Sequence, residues 1–265
     1  MIGQNSIKEF VKQNRNNFPH FIVLIGDGGS GKRTVAKYIA SELSLVYSEC
    51  EIRTEAVREV IDSAYNSTTN VFYCFANADV MKVQAKNAML KITEEPPENA
   101  YFCLTLCDDS TLLDTIRSRA NVIYLDGYTK DELKEYYYMG TYGNKSECDL
   151  FCSICDTPGE IDMLTQYGVE FYDYVKLVAD NIAEVEPANA FKSSSKLALK
   201  NENGYDLKLF WKVFVYICST QWFDLRFAEC VLETCKYLNK VEKIGVNKQQ
   251  LYDMWVFDIR KVLMG

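Results

Sequence analysis

Residues 26–33 read Gly-Asp-Gly-Gly-Ser-Gly-Lys-Arg, set between five apolar residues, Phe21–Ile25, and an amphipathic segment that begins at Thr34. This is the pattern of a phosphate-binding loop, G-x-x-x-x-G-K-[ST], with one residue changed. The glycines of such a loop let backbone N–H groups converge on phosphate oxygens, the lysine reaches the β/γ-phosphates, and the final hydroxyl ligates Mg²⁺. The context fits: an apolar strand enters, and Val35, Ile39 and Leu43 at i, i+4, i+8 give the exit helix one apolar stripe. The alternative, an ordinary glycine-rich strand-to-helix turn, needs both spacing and context to be accidental.

Arg33 stands where the hydroxyl belongs, and a guanidinium has five donors and no acceptor, so it ligates no cation. Thr34 is an imperfect substitute because the next helical residue points roughly 100° away. Gly26, Gly28, Gly29, Gly31 and Lys32 therefore support phosphate binding, while Arg33 and Thr34 leave the Mg²⁺ side weak or empty. A hydrolysing site also needs a carboxylate at the end of a later strand. The strand expected at Val71–Phe75 ends in Ala76-Asn77, and Asp79 beyond it is placed to cap a helix starting at Val80 rather than to hold metal.

Apolar runs at Phe21–Ile25, Val71–Phe75, Tyr101–Leu106 and Val122–Leu125 alternate with helical stretches at Thr34–Leu43, Thr54–Tyr65 and Val80–Glu95, which predicts an α/β core with a parallel sheet. Strand signals cease after Leu125. Thr129-Lys130-Asp131-Glu132 then reads as a capping box, Pro158-Gly159 interrupts the helices that follow, and Glu184–Ala188 around Pro187 reads as a hinge. Three parts are expected: a core over 1–127, a small helical lid over 128–186 and an all-helical C-terminal domain over 187–265. Ser193–Ser195 is only a brief polar run. The aromatics of Leu209–Phe223 and Leu251–Val262, with Trp255 and Ile259 at i, i+4, read as core or subunit contact.

Composition narrows the function. Lys+Arg 29 against Asp+Glu 37 gives a net charge of -8, which argues against non-specific nucleic-acid binding through a global basic field. Ten cysteines without a signal peptide fit reduced thiols in a cytoplasm, and no apolar run approaches the ~20 residues that cross a bilayer. Cys148, Cys152 and Cys155 share one helical face and have no histidine beside them, so core packing is expected rather than zinc. His20, the one histidine, is expected to order the turn after Pro19.

Three further stretches carry a resemblance: Asn87-Ala88-Met89-Leu90-Lys91, Glu94-Glu95-Pro96-Pro97-Glu98, and Thr115-Ile116-Arg117-Ser118-Arg119-Ala120. With them the chain resembles the clamp-loader branch of the AAA+ ATPases, most of all the delta-prime subunits of bacterial DNA polymerase III and next the gamma/tau subunits. The likeness extends to Ile2-Gly3-Gln4, to Pro158-Gly159 in the lid and to Trp255 in a final helix like those of the family's collar domain. The departures are informative. The family's Ser-Arg-Cys is Ser118-Arg119-Ala120, its acidic pair falls on Ala76-Asn77, its polar sensor on Leu106 or Cys107, and its lid arginine on Glu160. Its four-cysteine zinc module is absent, Cys50 being almost alone in that region.

The resemblance implies a subunit poor at its own ATP chemistry that completes a neighbour's site in a ring. ATP or ADP is the implied ligand. The implied partners are gamma/tau-like and delta-like subunits, a sliding clamp and, through the complex, primed DNA, with no membrane. Arg119, next to Ser118 and at the end of a segment leading into a strand, can project from the domain face and act on a neighbour's γ-phosphate. Such a residue can be worth ~10³–10⁵ in rate. The competing reading of Arg119 is an intramolecular salt bridge or solvated arginine, with Arg117 in reserve. Two other functions stay open: an independent ATPase that uses Thr34 and Asp79, and a nucleotide-locked structural module.

Overall fold

The computed structural model describes residues 1–140, 143–182, 196–199, 204–221, 225–242 and 245–264. They divide into two compact units, Met1–Gly143 with Asp156–Gly159, and Asn144–Cys155 with Glu160–Gly265. The expected boundary at 127/128 falls inside the first unit. The boundary at 186/187, the Glu184–Ala188 hinge, the Ser193–Ser195 run and the end of the Leu209–Phe223 stretch lie outside the described residues.

The first unit is a five-stranded parallel sheet in the order β2-β3-β4-β1-β5. The strands are β1 (Phe21–Ile25), β2 (Val46–Cys50), β3 (Val71–Phe75), β4 (Ala100–Leu106) and β5 (Asn121–Tyr124). Alternate residues of β1 serve opposite faces. Ile22 and Leu24 pack with Ile7 and Val11 of α1 (Asn5–Asn14) and with Val35, Ala36, Ile39 and Ala40 of α2 (Lys32–Glu42). Phe21, Val23 and Ile25 pack with Val57 and Ile61 of α3 (Thr54–Asn66), Ala85 of α4 (Val83–Ala88), Ile92 of α5 (Leu90–Glu94) and Ile116 of α6 (Asp114–Arg117). Burial on both faces explains why β1 reads as an unbroken apolar run.

Two local expectations need correcting. The stretch Val80–Glu95 is not one helix: after a 3₁₀ turn at Ala78–Val80 the backbone extends at Met81 and Lys82 before α4 and α5. Met81 is thereby turned into the core, at 4% exposure. Asp79 does not cap that segment, because its carboxylate accepts from the Cys107 N–H at 2.9 and 3.0 Å and from the Asp108 N–H at 3.2 Å. It ties the 3₁₀ turn to the end of β4.

The capping box forms: the Thr129 N–H donates to Glu132 Oε2 at 2.8 Å and the Glu132 N–H to Thr129 Oγ1 at 3.2 Å, opening α7 (Lys130–Gly140). His20 Nδ1 lies 2.8 Å from the Ala100 carbonyl, and its ring stacks on Tyr101 at 4.4 Å. The lone histidine thus joins the entrance of β1 to that of β4.

The second unit holds α8 (Lys145–Ile154), the body of α9 (Pro158–Asn181), α10 (Leu207–Gln221), α11 (Leu225–Val241) and α12 (Lys248–Met264). Pro158 begins α9 instead of interrupting a helix, since proline at the first helical position forfeits only an N–H with no intrahelical partner. Gly168 breaks α9 with φ 65° and ψ -166°. Phe210, Trp211, Phe214, Tyr252, Trp255 and Ile259 are buried, and Trp255 meets Phe214 edge-on at 5.0 Å while its Nε1–H donates to Thr234 Oγ1. These aromatics are core. Cys148, Cys152 and Cys155 are buried in the same unit. No described helix is long and apolar enough to cross a membrane.

Candidate functional site

The carboxyl ends of β1, β4 and β5 lie side by side, with Ile25 opposite Leu106 and Tyr124, and the loop of residues 26–31 springs from the middle of the three. Crevices at this edge of a parallel sheet are where ligands bind in open α/β folds. The Gly26 N–H is anchored on the Leu106 carbonyl at 3.1 Å, and the Val35 N–H closes the first helical turn on the Gly31 carbonyl at 2.9 Å. Gly29 (φ 77°) and Gly31 (φ 84°) hold the left-handed conformations that glycine adopts without strain. The sequence motif is realised as a strand, a nest-like turn and a helix N-terminus.

Lys32 is buried and folds back along this loop, its ammonium donating to the Gly26 carbonyl at 2.5 Å and the Asp27 carbonyl at 2.8 Å and lying 3.5 Å from Cys107 Sγ. The other carbonyls of the loop are taken by later parts of the same unit. Thr157 Oγ1 donates to Gly28 O at 3.3 Å, the Gly159 N–H to Gly29 O at 3.0 Å, and the Tyr128 hydroxyl to Ser30 O at 2.9 Å. Gly26, Gly28, Gly29, Gly31 and Lys32 thus come together, under a roof of Tyr128, Thr157 and Gly159 that the sequence did not disclose. Those contacts join residues about a hundred positions apart, and no local pattern reports them.

The metal side is different. Arg33 turns away, its Nε 3.1 Å from Glu49 Oε1 of the edge strand β2, and Thr34 is exposed. β3 delivers Ala76, which is buried, and Asn77, a left-handed residue whose N–H donates to Thr105 Oγ1 at 3.0 Å. Asp79 is spent on backbone amides of residues 107 and 108. Arg33 and Ala76 thus bring no acceptor to this edge, and the Asp79 carboxylate is engaged by backbone amides. Lys86, a short way along, is buried with its ammonium on the Thr111 carbonyl at 2.6 Å, and that burial lowers its pKa.

The two candidate arginines behave differently. Arg117 is held by one residue: Nη1 donates to Asp109 Oδ2 at 2.8 Å, Nη2 to the Asp109 carbonyl at 2.6 Å, and the Tyr124 hydroxyl joins at Asp109 Oδ2. The Arg117 guanidinium, aided by that hydroxyl, holds the Asp109 carboxyl below the usual carboxylate range. Arg119 sits past the end of α6, with Nη1 on the Thr115 carbonyl at 2.9 Å and Nη2 3.0 Å from Glu94 Oε1. Among the described residues its Nε finds no acceptor. Ser118 donates to the Thr115 carbonyl at 3.2 Å and lies 3.4 Å from Arg119 Nη1. Glu94, missed from the sequence as a partner of Arg119, could have been suspected only from its place in the Glu94–Glu98 stretch.

Comparisons with known proteins find similarity to subunits of DNA polymerase III. The family model described as "DNA polymerase III, delta subunit" matches residues 46–129. DNA polymerase III subunit delta' from Yersinia pestis is 39% identical over 77 residues, which cover 28% of this chain and 23% of that protein. DNA polymerase III subunit gamma from Buchnera aphidicola (Schizaphis graminum symbiont) is 29% identical over 155 residues, covering 45% of this chain and 42% of that one. The matched regions span less than half the length of these relatives. Among solved structures, a DNA polymerase III gamma subunit-related protein from Thermotoga maritima superposes with a TM-score of 0.56 at 15% identity, covering 98% of this chain and 100% of its own. The RuvB Holliday junction branch migration motor of Thermotoga maritima gives 0.51 at 16% identity, over 83% of this chain and 76% of its own. These structural likenesses show a AAA+ type of fold, a parallel α/β core followed by helices.

Proposed function

We propose that this chain, which belongs to the DNA polymerase III clamp-loader family, works in its complex as a delta-prime-like subunit: it lends Arg119 to the ATP site of a neighbouring gamma/tau-like subunit and hydrolyses no ATP itself. The observation that carries the reading is the asymmetry of its site. The phosphate-binding half is intact from Gly26 to Lys32, the metal half is diverted at Arg33, Ala76, Asn77 and Asp79, and an arginine stands exposed at the far end of α6.

ATP or ADP on the Gly26–Lys32 loop would serve assembly, with Lys32 leaving the Gly26 and Asp27 carbonyls for phosphate oxygens. Residues 128–186 act as lid and 187–265 as a collar that holds a ring with delta-like and gamma/tau-like subunits. The ring opens a sliding clamp and sets it on primed DNA in the cytoplasm. The rival reading, an independent ATPase built on Thr34 and Asp79, loses ground because Asp79 already accepts three backbone hydrogen-bond contacts.

The test is DNA- and clamp-stimulated ATP hydrolysis by the reconstituted complex with the native chain or with Arg119→Ala, at matched assembly. A fall of about tenfold or more is expected, equal to about 1.4 kcal/mol of transition-state stabilisation. An unchanged rate removes Arg119 from the mechanism. Turnover by the isolated chain, abolished by Lys32→Ala, would establish the independent ATPase instead.

A further inference from the structure

Glu94 is the last residue of α5, where the helix dipole disfavours a carboxylate, so the helix itself gives no reason for an acid there. Its backbone is held on both sides. The Tyr65 hydroxyl donates to the Glu95 carbonyl at 2.8 Å, the Glu95 N–H donates to the Lys91 carbonyl at 3.0 Å, and Pro96 and Pro97 follow with fixed φ. Arg119 stands on equally firm ground: its own N–H and that of Ala120 donate to the Ile116 carbonyl at 3.0 and 2.8 Å, and Ala120 packs against the core. Two fixed backbones therefore carry a carboxylate and a guanidinium that meet at 3.0 Å, with side chains 55% and 40% exposed.

At that exposure the pair adds little to stability, about 0–1 kcal/mol. Its geometric effect is larger. A free arginine spreads over many rotamers, whereas this one is pinned at Nη2 by Glu94 and at Nη1 by the Thr115 carbonyl, which fixes the plane of the guanidinium. Nε and the outward N–H groups are left for an incoming phosphate oxygen. Arg117 differs in its partner: both of its terminal nitrogens are held by the one residue Asp109.

We propose that Glu94 is the positioning residue of Arg119, holding its guanidinium in the orientation presented to a neighbour's nucleotide; the proposal rests on the trans role of Arg119 argued above. Glu94 touches no substrate and acts only through the arginine. Its contribution should appear in the turnover number of the neighbouring site and not in that site's affinity for ATP.

The experiment is a double-mutant cycle in the reconstituted complex, with Glu94→Ala, Arg119→Ala, both together, and Glu94→Asp, each at matched assembly by gel filtration. Glu94→Ala should lower kcat about fivefold with KM for ATP nearly unchanged, a loss of orientation rather than of binding. It should do nothing further in the Arg119→Ala background, and Glu94→Asp should recover part of the rate. If Arg119→Ala costs tenfold while Glu94→Ala costs nothing, or costs as much without the arginine as with it, Glu94 is not a positioning residue. If Arg119→Ala itself has no effect, the trans reading falls and this inference with it.

Discussion

Glu160 shows how much a single changed residue can mean. At a place where the resemblance leads one to expect an arginine, a carboxylate lies in the first turn of α9, the helix end that favours negative charge. It is 2% exposed and accepts from Lys212 Nζ through both oxygens at 2.7 Å, with Lys208 Nζ at 3.4 Å and Glu242 beyond it. The acid is thus part of an ion-pair network inside the helical unit, where it acts as a strut between α9 and α10. Removing one member of such a pair leaves a charge without its partner. Glu160→Ala should destabilise the chain by about 3 kcal/mol, at the low end for a buried pair because Lys212 is 12% exposed. Glu160→Leu combined with Lys212→Met should cost much less. Urea unfolding followed by tryptophan fluorescence measures both, and equal losses for the single and the double variant would show that packing, not charge, governs the site.

At the scale of elements, α9 begins against the phosphate-binding loop. A Cβ built on Gly159 would sit 2.6 Å from the Gly29 Cα, a backbone atom that cannot rotate away. Gly159→Ala should therefore push the start of α9 off the loop and cost about 1–3 kcal/mol, the usual range for overpacking. The Gly159 N–H should at the same time lose its slow hydrogen exchange, because its partner is the Gly29 carbonyl. Unchanged stability and protection would mean that the two backbones are not in contact. Pro158-Gly159 was visible in the sequence as punctuation, but the close approach it permits was not, since Gly29 is its partner across 130 positions. β1, β3 and β4 were legible because both their faces are buried and their residues form plain apolar runs, and β5, although an edge strand, was legible from the run Val122-Ile123-Tyr124-Leu125. β2 was not, because it is an edge strand with exposed Val46 and Glu49 and so carries no such run. The capping box of α7 was legible because all its parts lie within four residues. Asp79 was misread for the converse reason: a cap is the nearest role for an acid before a helix, and its real partners lie 28 and 29 residues away.

For the whole molecule, the two compact units exchange the chain at Gly143/Asn144, Cys155/Asp156 and Gly159/Glu160, and the unit that holds the sheet also takes in α7 and Asp156–Gly159. Across both units the net charge is -8. A chain of that sign is repelled by a phosphate backbone unless cations are gathered locally, and the arginines nearest the candidate site are already matched: Arg33 with Glu49, Arg117 with Asp109, Arg119 with Glu94. Non-specific association draws its free energy from cations that replace condensed counterions, so a chain of net negative charge whose site arginines are engaged should show a weak and shallow salt response. The isolated chain should accordingly bind a fluorescent primed-template DNA no more tightly than about 10⁻⁴ M at physiological salt. Binding should emerge only with the partner subunits, and its salt dependence should then be set by them. Fluorescence anisotropy of the labelled DNA against the lone chain, over a series of salt concentrations, decides the matter. Micromolar binding with a steep salt slope would place a DNA-contacting basic surface on this chain itself, and would add gripping of the template to the role proposed for Arg119.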